Sequence, residues 1–354
     1  MIFCGDIALP FVDAVKLVDI PDSIRTKVWF GNLEGSLLSE KETNGLLQKR
    51  KVYNDLDAIR DLCEHINFMG LGIANNHIID VASVRTTKEH LDSIGKACVG
   101  AGLNEEEAKE PLVVDDFVII AFGWEGISCI PAKKKKEGVN RYAKWNVEQQ
   151  VNHLLGKYPE KKVVCYMHWN YELELYPQPL DRELSHKLID KGVYAVIGCH
   201  SHRVQPIEIY KGRPIVYSLG NFAIRQNTYM GGTLSYPDGS CEEIAFEIKN
   251  DGTYRVHRFY YKRNDHILSY LGTAEILETF FSGMNRKKYN LFFKRNRVQK
   301  KMLPIFYYEE SRLIYFLKLK IVRIRQQVIN VLVLNNRLYT FVKKLLKGYN
   351  GYEY

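Results

Sequence analysis

Ile197-Gly198-Cys199-His200-Ser201-His202-Arg203-Val204-Gln205 is the stretch on which the fold of this chain turns. Val193, Ala195, Val196 and Ile197 make an apolar run, and Gly198 breaks it. That pattern predicts a buried strand entering a tight turn. Histidines at i and i+2 on such a turn can aim at one point beyond the strand end, and neutral imidazole is the commonest metal-binding side chain. Taken alone, the pair suits two ordinary loop histidines equally well. Its weight comes from the strand ends around it.

The same design recurs in both directions. Upstream, the apolar run 162–167 leads to His168, then Trp169 and Glu172. A histidine beside an indole at a strand end fits a ligand on a site floor with an aromatic wall. Further upstream, residues 66–73 lead to Asn75-Asn76-His77, with Asp80 three residues on. Asn76 can offer a metal its amide oxygen. His77, its neighbour, then points elsewhere and suits an acid role. Earlier still, residues 28–31 lead to Asn32 and Glu34, which share a face of an extended chain, and the opening strand ends at Asp6. Downstream, Lys211-Gly212 predicts a hairpin turn, and Ser218-Leu219-Gly220-Asn221 adds another polar cluster. Helical patterns at 56–64, 84–94, 146–155 and 182–190 separate the strands. Open α/β sheets place sites beyond the carboxyl ends of strands, so one shared site is the economical reading. Mixed Asp, Glu, Asn and His donors point to one or two divalent cations. Mn²⁺ leads, with Fe, Zn²⁺ and Mg²⁺ as the other candidates.

Composition narrows the classes. At 354 residues and 46% hydrophobic, the chain can build a full core. Seven cysteines without a CxxC pair argue against a disulfide framework and for a reducing compartment. No long uncharged apolar run predicts a transmembrane helix, and no leader pattern opens the chain, so a cytoplasmic location is expected. Of the net +9, residues 265–354 hold 17 Lys and Arg against 6 Asp and Glu, leaving the rest near neutral. No nucleic-acid-binding module accompanies that charge, so nucleic acid is not an expected partner.

Gly5-Asp6, Asn32-Leu33-Glu34, Asn75-Asn76-His77 with Asp80, His168-Trp169 with Glu172, His200-Ser201-His202 and Tyr217 to Phe222 together resemble the CapA family of poly-γ-glutamate capsule biosynthesis proteins. That family is a branch of the calcineurin-like metallophosphoesterase superfamily. The resemblance spans residues 1–225. It implies a four-layer αββα sandwich of two mixed sheets. It implies Asp6, Glu34, Asn76, His168, His200 and His202 as metal ligands, with His77 as the acid, supported by Asp80. Asn32, Trp169, Glu172 and Asn221 would shape the substrate side. The implied function is metal-dependent hydrolysis, phosphoesterase-like, in capsule, surface polysaccharide or poly-γ-glutamate-type polymer biosynthesis, on a polymeric or lipid-linked substrate. A non-catalytic metal-binding assembly factor is the alternative. Three positions depart from the family pattern: Ala8 and Cys199 stand where histidines are usual, and Asn170 where glycine is usual.

The reading divides the chain into a catalytic unit, 1–264, and a basic, mainly helical extension, 265–354. Many large apolar residues, among them Phe292, Phe293, Phe306, Tyr315, Leu317, Phe341, Leu345 and Leu346, accompany the positive charge of the extension. Peripheral contact with an anionic membrane, at its inner face, is therefore expected. At about 100° per residue, however, Lys318, Lys320, Arg323 and Arg325 scatter around the helical wheel, which also suits helices packed on the catalytic unit.

Overall fold

In the computed structural model, which describes residues 1–276, 280–300 and 303–334 with side chains to 329, two β-sheets pack face to face. The first runs in the order Lys16–Val18, Ile267–Ala274, Tyr254–Lys262, Glu242–Ile248, Ile2–Ala8, Trp29–Leu33, Phe68–Gly72 and Ala97–Val99. Asn221–Ile224 pairs in parallel with the far end of Ile2–Ala8. The second runs Arg141–Tyr142, Phe117–Trp124, Lys162–His168, Ala195–Cys199, Arg213–Val216 and Ile207–Tyr210. Both sheets mix parallel and antiparallel pairs.

Alternation along the strands sorts the core into layers. In Phe117–Trp124, Phe117, Ile119 and Ala121 join the core shared with the first sheet. Val118, Ile120, Phe122 and Trp124 turn instead toward the helices Lys144–Lys157 and Pro179–Lys191. On the first sheet Phe30 faces Tyr166 of the second, ring centres 5.0 Å apart, while its neighbour Trp29 meets Phe68 and Phe222. The helices Leu56–His65 and Val84–Ser93 contribute Ala58, Ile59, Leu62, Val84 and Leu91 to that core. This is the αββα sandwich expected from the sequence. Lys211 and Gly212 both have positive φ (51° and 75°) between the antiparallel strands Ile207–Tyr210 and Arg213–Val216, as a two-residue hairpin turn requires.

The boundary expected after residue 264 does not hold for the first sheet. The strand Ile267–Ala274 pairs with Tyr254–Lys262 on one side and Lys16–Val18 on the other, so the sheet continues past it. Charge drew the boundary, and charge carries no information on strand pairing. The helices Arg286–Asn296 and Arg312–Leu334 then lie on the outer side of the second sheet, where Tyr289, Phe293, Phe306, Tyr315, Leu319 and Val322 are buried. The Tyr315 hydroxyl accepts from Trp124 Nε1 and donates to the Tyr142 carbonyl, each at 3.1 Å. Glu174, in the segment after His168, accepts from the backbone amides of Val298 and Gln299, both at 2.9 Å. The extension is thus part of the outer layer. Phe341, Leu345 and Leu346 lie outside the described residues.

Candidate metal centre

The two sheets bring their strand ends to one place. Asp6 ends the regular part of the opening strand and is fully buried. It accepts from Asn32 Nδ2 at 2.8 Å and from the His200 amide at 3.1 Å. Gly5 makes this approach possible, because a Cβ there would lie 2.0 Å from the Gly220 carbonyl oxygen. Burial outweighs these hydrogen bonds and pushes the Asp6 carboxyl up to about 7. Glu34 follows Trp29–Leu33 and is also buried. Burial, then the nearby Asp6, Glu172 and Asp80 carboxylates, hold its pKa well above the ordinary value.

From the second sheet come three histidines. His168 Nε2 lies 2.8 Å from Asn76 Oδ1 and 3.1 Å from His200 Nδ1. His168 Nδ1 lies 3.2 Å from Cys199 Sγ. His202 Nδ1 lies 2.8 Å from Asn221 Oδ1, and its Nε2 lies 3.2 Å from the Tyr236 hydroxyl. Burial pulls His168 and His200 well below the usual histidine value and His202 down to about 4. All three are neutral imidazoles near pH 7, the form that binds metals. His200 (φ +89°) and His202 (φ +53°) sit in the left-handed region, which costs a non-glycine residue energy and clusters at functional sites. Gly198 lets the turn start: a Cβ there would fall 2.1 Å from the Tyr217 carbonyl oxygen.

All six residues expected as ligands therefore converge. The donor atoms of Glu34, His168 and His200 lie within 4.8 Å of one another, as do those of Asp6, Glu34 and His202, and of Asp6, His168 and Cys199. The cluster fits a divalent cation on its own chemistry. Glu34 Oε2 is buried with no hydrogen-bond partner among the described residues. Such an atom is costly unless something pairs with it. Two carboxylates and three neutral imidazoles around it supply charge and nitrogen donors. Burial raises the Cys199 thiol well above its ordinary value, so it stands protonated beneath His168.

His77 and Asp80 stand at the edge of this cluster. His77 Nδ1 lies 2.8 Å from Asp80 Oδ2, and Nε2 faces Glu34 Oε1 at 3.9 Å. Both residues are half-buried. Asn75 is the residue that shapes the turn: its amide donates to the Leu33 carbonyl at 2.7 Å, and its oxygen accepts from the Gly35 and His77 amides. Asn32 and Asn221 touch Asp6 and His202 and hold the donors in place. Glu172 is half-buried near His77, its pKa raised by burial and lowered by that histidine.

Trp169 does not line the substrate side. It is fully buried on the helix-facing side of the second sheet, between Tyr142 and Tyr217, and donates to the Tyr217 carbonyl at 2.9 Å. Strand alternation sends it there, because His168 before it faces the site. The ring beside the site is Tyr236, stacked on His202 with centres 4.3 Å apart. It arrives from an irregular segment that no periodicity marks.

The pKa directions give a sign. Above about pH 7.5 the three site histidines are neutral folded and unfolded alike, because an unfolded imidazole has by then lost nearly all of its proton. Asp6 and Glu34 are protonated longer in the metal-free fold than in the unfolded chain, so the unfolded state binds fewer protons. Above about pH 7.5 the stability of the chelated protein should fall as pH rises, and excess Mn²⁺ should reverse the trend. Thermal melts at several pH values with and without chelator check this. A chelated protein equally stable across the window would contradict the placement of these carboxylates.

Comparison with known proteins identifies the family. Residues 22–226 match the model of the bacterial capsule synthesis protein family PGA_cap. The PGA biosynthesis protein CapA of Bacillus subtilis is 28% identical over 238 residues, 64% of this chain and 58% of that protein. The capsule biosynthesis protein CapA of Bacillus anthracis is 28% identical over 236 residues, 63% of this chain and 55% of its own length. The chain thus spans little more than half the length of these relatives. Among solved structures, the NAD nucleotidase of Haemophilus influenzae aligns at 13% identity with a TM-score of 0.29, covering 75% of this chain and 53% of its own. The match over residues 22–226, more than half of the chain and holding every proposed ligand but Asp6, places the chain in the bacterial capsule synthesis protein family PGA_cap.

Proposed function

We propose that this protein is a metal-dependent hydrolase, phosphoesterase-like, that acts on a polymeric or lipid-linked substrate in capsule or poly-γ-glutamate-type polymer biosynthesis, at the inner side of the membrane. The observation that carries it is the His77–Asp80 pair set against the buried donor cluster, 3.9 Å from Glu34. A divalent cation held there would supply an activated water and a charge on the scissile group. Asp6, Glu34, Asn76, His168, His200 and His202 would hold it. Asp80 accepts a hydrogen bond from His77 Nδ1–H, which leaves Nε2 turned to the cluster. From there a protonated His77 can donate to a leaving oxygen.

One position favours a reduced site. Ala8, fully buried, offers no donor where a histidine is usual in the superfamily, which supports the alternative of a metal-binding assembly factor without turnover. Metal content of the purified protein, measured beside turnover of bis(p-nitrophenyl) phosphate, separates the two. Turnover abolished by chelator and restored by Mn²⁺ supports the hydrolase. Bound metal with no turnover, on this ester or on poly-γ-glutamate, supports the assembly factor.

A further inference from the structure

The helix Arg312–Leu334 carries two apolar faces. Tyr315, Leu319 and Val322 face the second sheet and are buried. On the other side Leu313, Leu317, Ile321, Ile324 and Val328 recur at i, i+4, i+8, i+11 and i+15, within a sector of about 80°. Each is between 49% and 70% exposed. A surface helix ordinarily keeps that side polar. Here Lys320 is exposed on one flank of the stripe, and Arg325 stands on the other. Residues 312–334 include five Lys and Arg and no Asp or Glu, and the helix Arg286–Asn296 in the same layer has the same balance, with Leu291 exposed.

Charge selects the occupant. A second copy would bring two equally basic helices together. Residues 335–354 carry Arg337, Lys343, Lys344 and Lys347 against Glu353, so that segment repels the face as well. What fits is a surface both anionic and apolar. We propose that this face docks in the interfacial layer of an anionic lipid membrane, with the Leu and Ile stripe among the acyl chains and the flanking cations at the headgroups. No described helix is long and apolar enough to cross a membrane, so the attachment is peripheral.

The test is co-sedimentation of the full chain with phosphatidylcholine vesicles, with and without phosphatidylglycerol. Binding should need phosphatidylglycerol and weaken as salt rises. The Leu317→Gln/Ile321→Gln/Ile324→Gln variant should lose roughly a hundredfold in vesicle affinity. It should keep its melting temperature, since these side chains are exposed. Lys320→Glu should weaken binding to phosphatidylglycerol vesicles in the wild-type stripe. Absence of binding by the intact chain, or binding unchanged in the triple variant, overturns the proposal. So does a wild-type dimer in sedimentation velocity that the triple variant dissolves, which would assign the face to a second copy.

Discussion

His77→Ala should lose roughly 10²- to 10⁴-fold in turnover while keeping its metal. The two effects separate because His77 touches the cluster only at its edge. Its Nε2 lies 3.9 Å from Glu34 Oε1, whereas its Nδ1 is engaged by Asp80 at 2.8 Å. The donor sets drawn from Asp6, Glu34, His168, His200 and His202 do not include it. Asp80→Asn should show a milder form of the same pattern, because the ring stays in place and only its orientation and charge support are lost. Elemental analysis beside kinetics decides. Metal lost in proportion to activity would make His77 a ligand and remove the assigned acid.

Glu34→Gln should lose metal by more than about 100-fold in affinity, beyond what removal of a supporting group around a metal costs. Glu34 belongs to two of the three donor sets, with His168 and His200 and with Asp6 and His202. Removing its charge therefore weakens both positions at once. The metal-free variant should nonetheless melt higher than metal-free wild type at pH 8, since a neutral amide replaces a carboxyl that burial and three nearby carboxylates disfavour as an anion. Calorimetric titration with Mn²⁺ measures the first effect and a melt the second. Wild-type affinity in the variant would show that Glu34 is not a shared ligand.

The strand ends were legible because each carries the same signal, an apolar run followed at once by Asp, Asn, Glu or His. That signal placed Asp6, Glu34, Asn76, His168, His200 and His202 together, and the fold follows from the runs themselves. Trp169 was misplaced by neglect of alternation: adjacent residues leave a strand on opposite sides, so the indole beside His168 had to face the helices. Tyr236 was not legible, since it comes from an irregular segment between Asn221–Ile224 and Glu242–Ile248 and reaches His202 only through tertiary structure. Asn75 and Asn76 cannot be told apart in sequence. Only the turn shows that the first binds backbone and the second faces His168. In the extension, the scatter of Lys318, Lys320, Arg323 and Arg325 around the wheel pointed to helices packed on the catalytic unit, and Tyr315, Leu319 and Val322, at helical spacing, make that buried face.

The position of the opening strand has a consequence for how the molecule is made. Ile2–Ala8 lies in the interior of its sheet, between Trp29–Leu33 and Glu242–Ile248, and the Met1 ammonium donates to the Ile248 carbonyl across 247 residues of chain. A strand held by so distant a partner cannot finish pairing on a ribosome until most of the chain has emerged. Long-range pairing of this kind is slow and leaves strand edges open while it waits. Asp6 rides on that strand, so its carboxylate is synthesised well before His200 and Asn221, against which it finally lies. Newly synthesised chains should pass through a period in which the second sheet and its histidines are formed and the cation site is still incomplete.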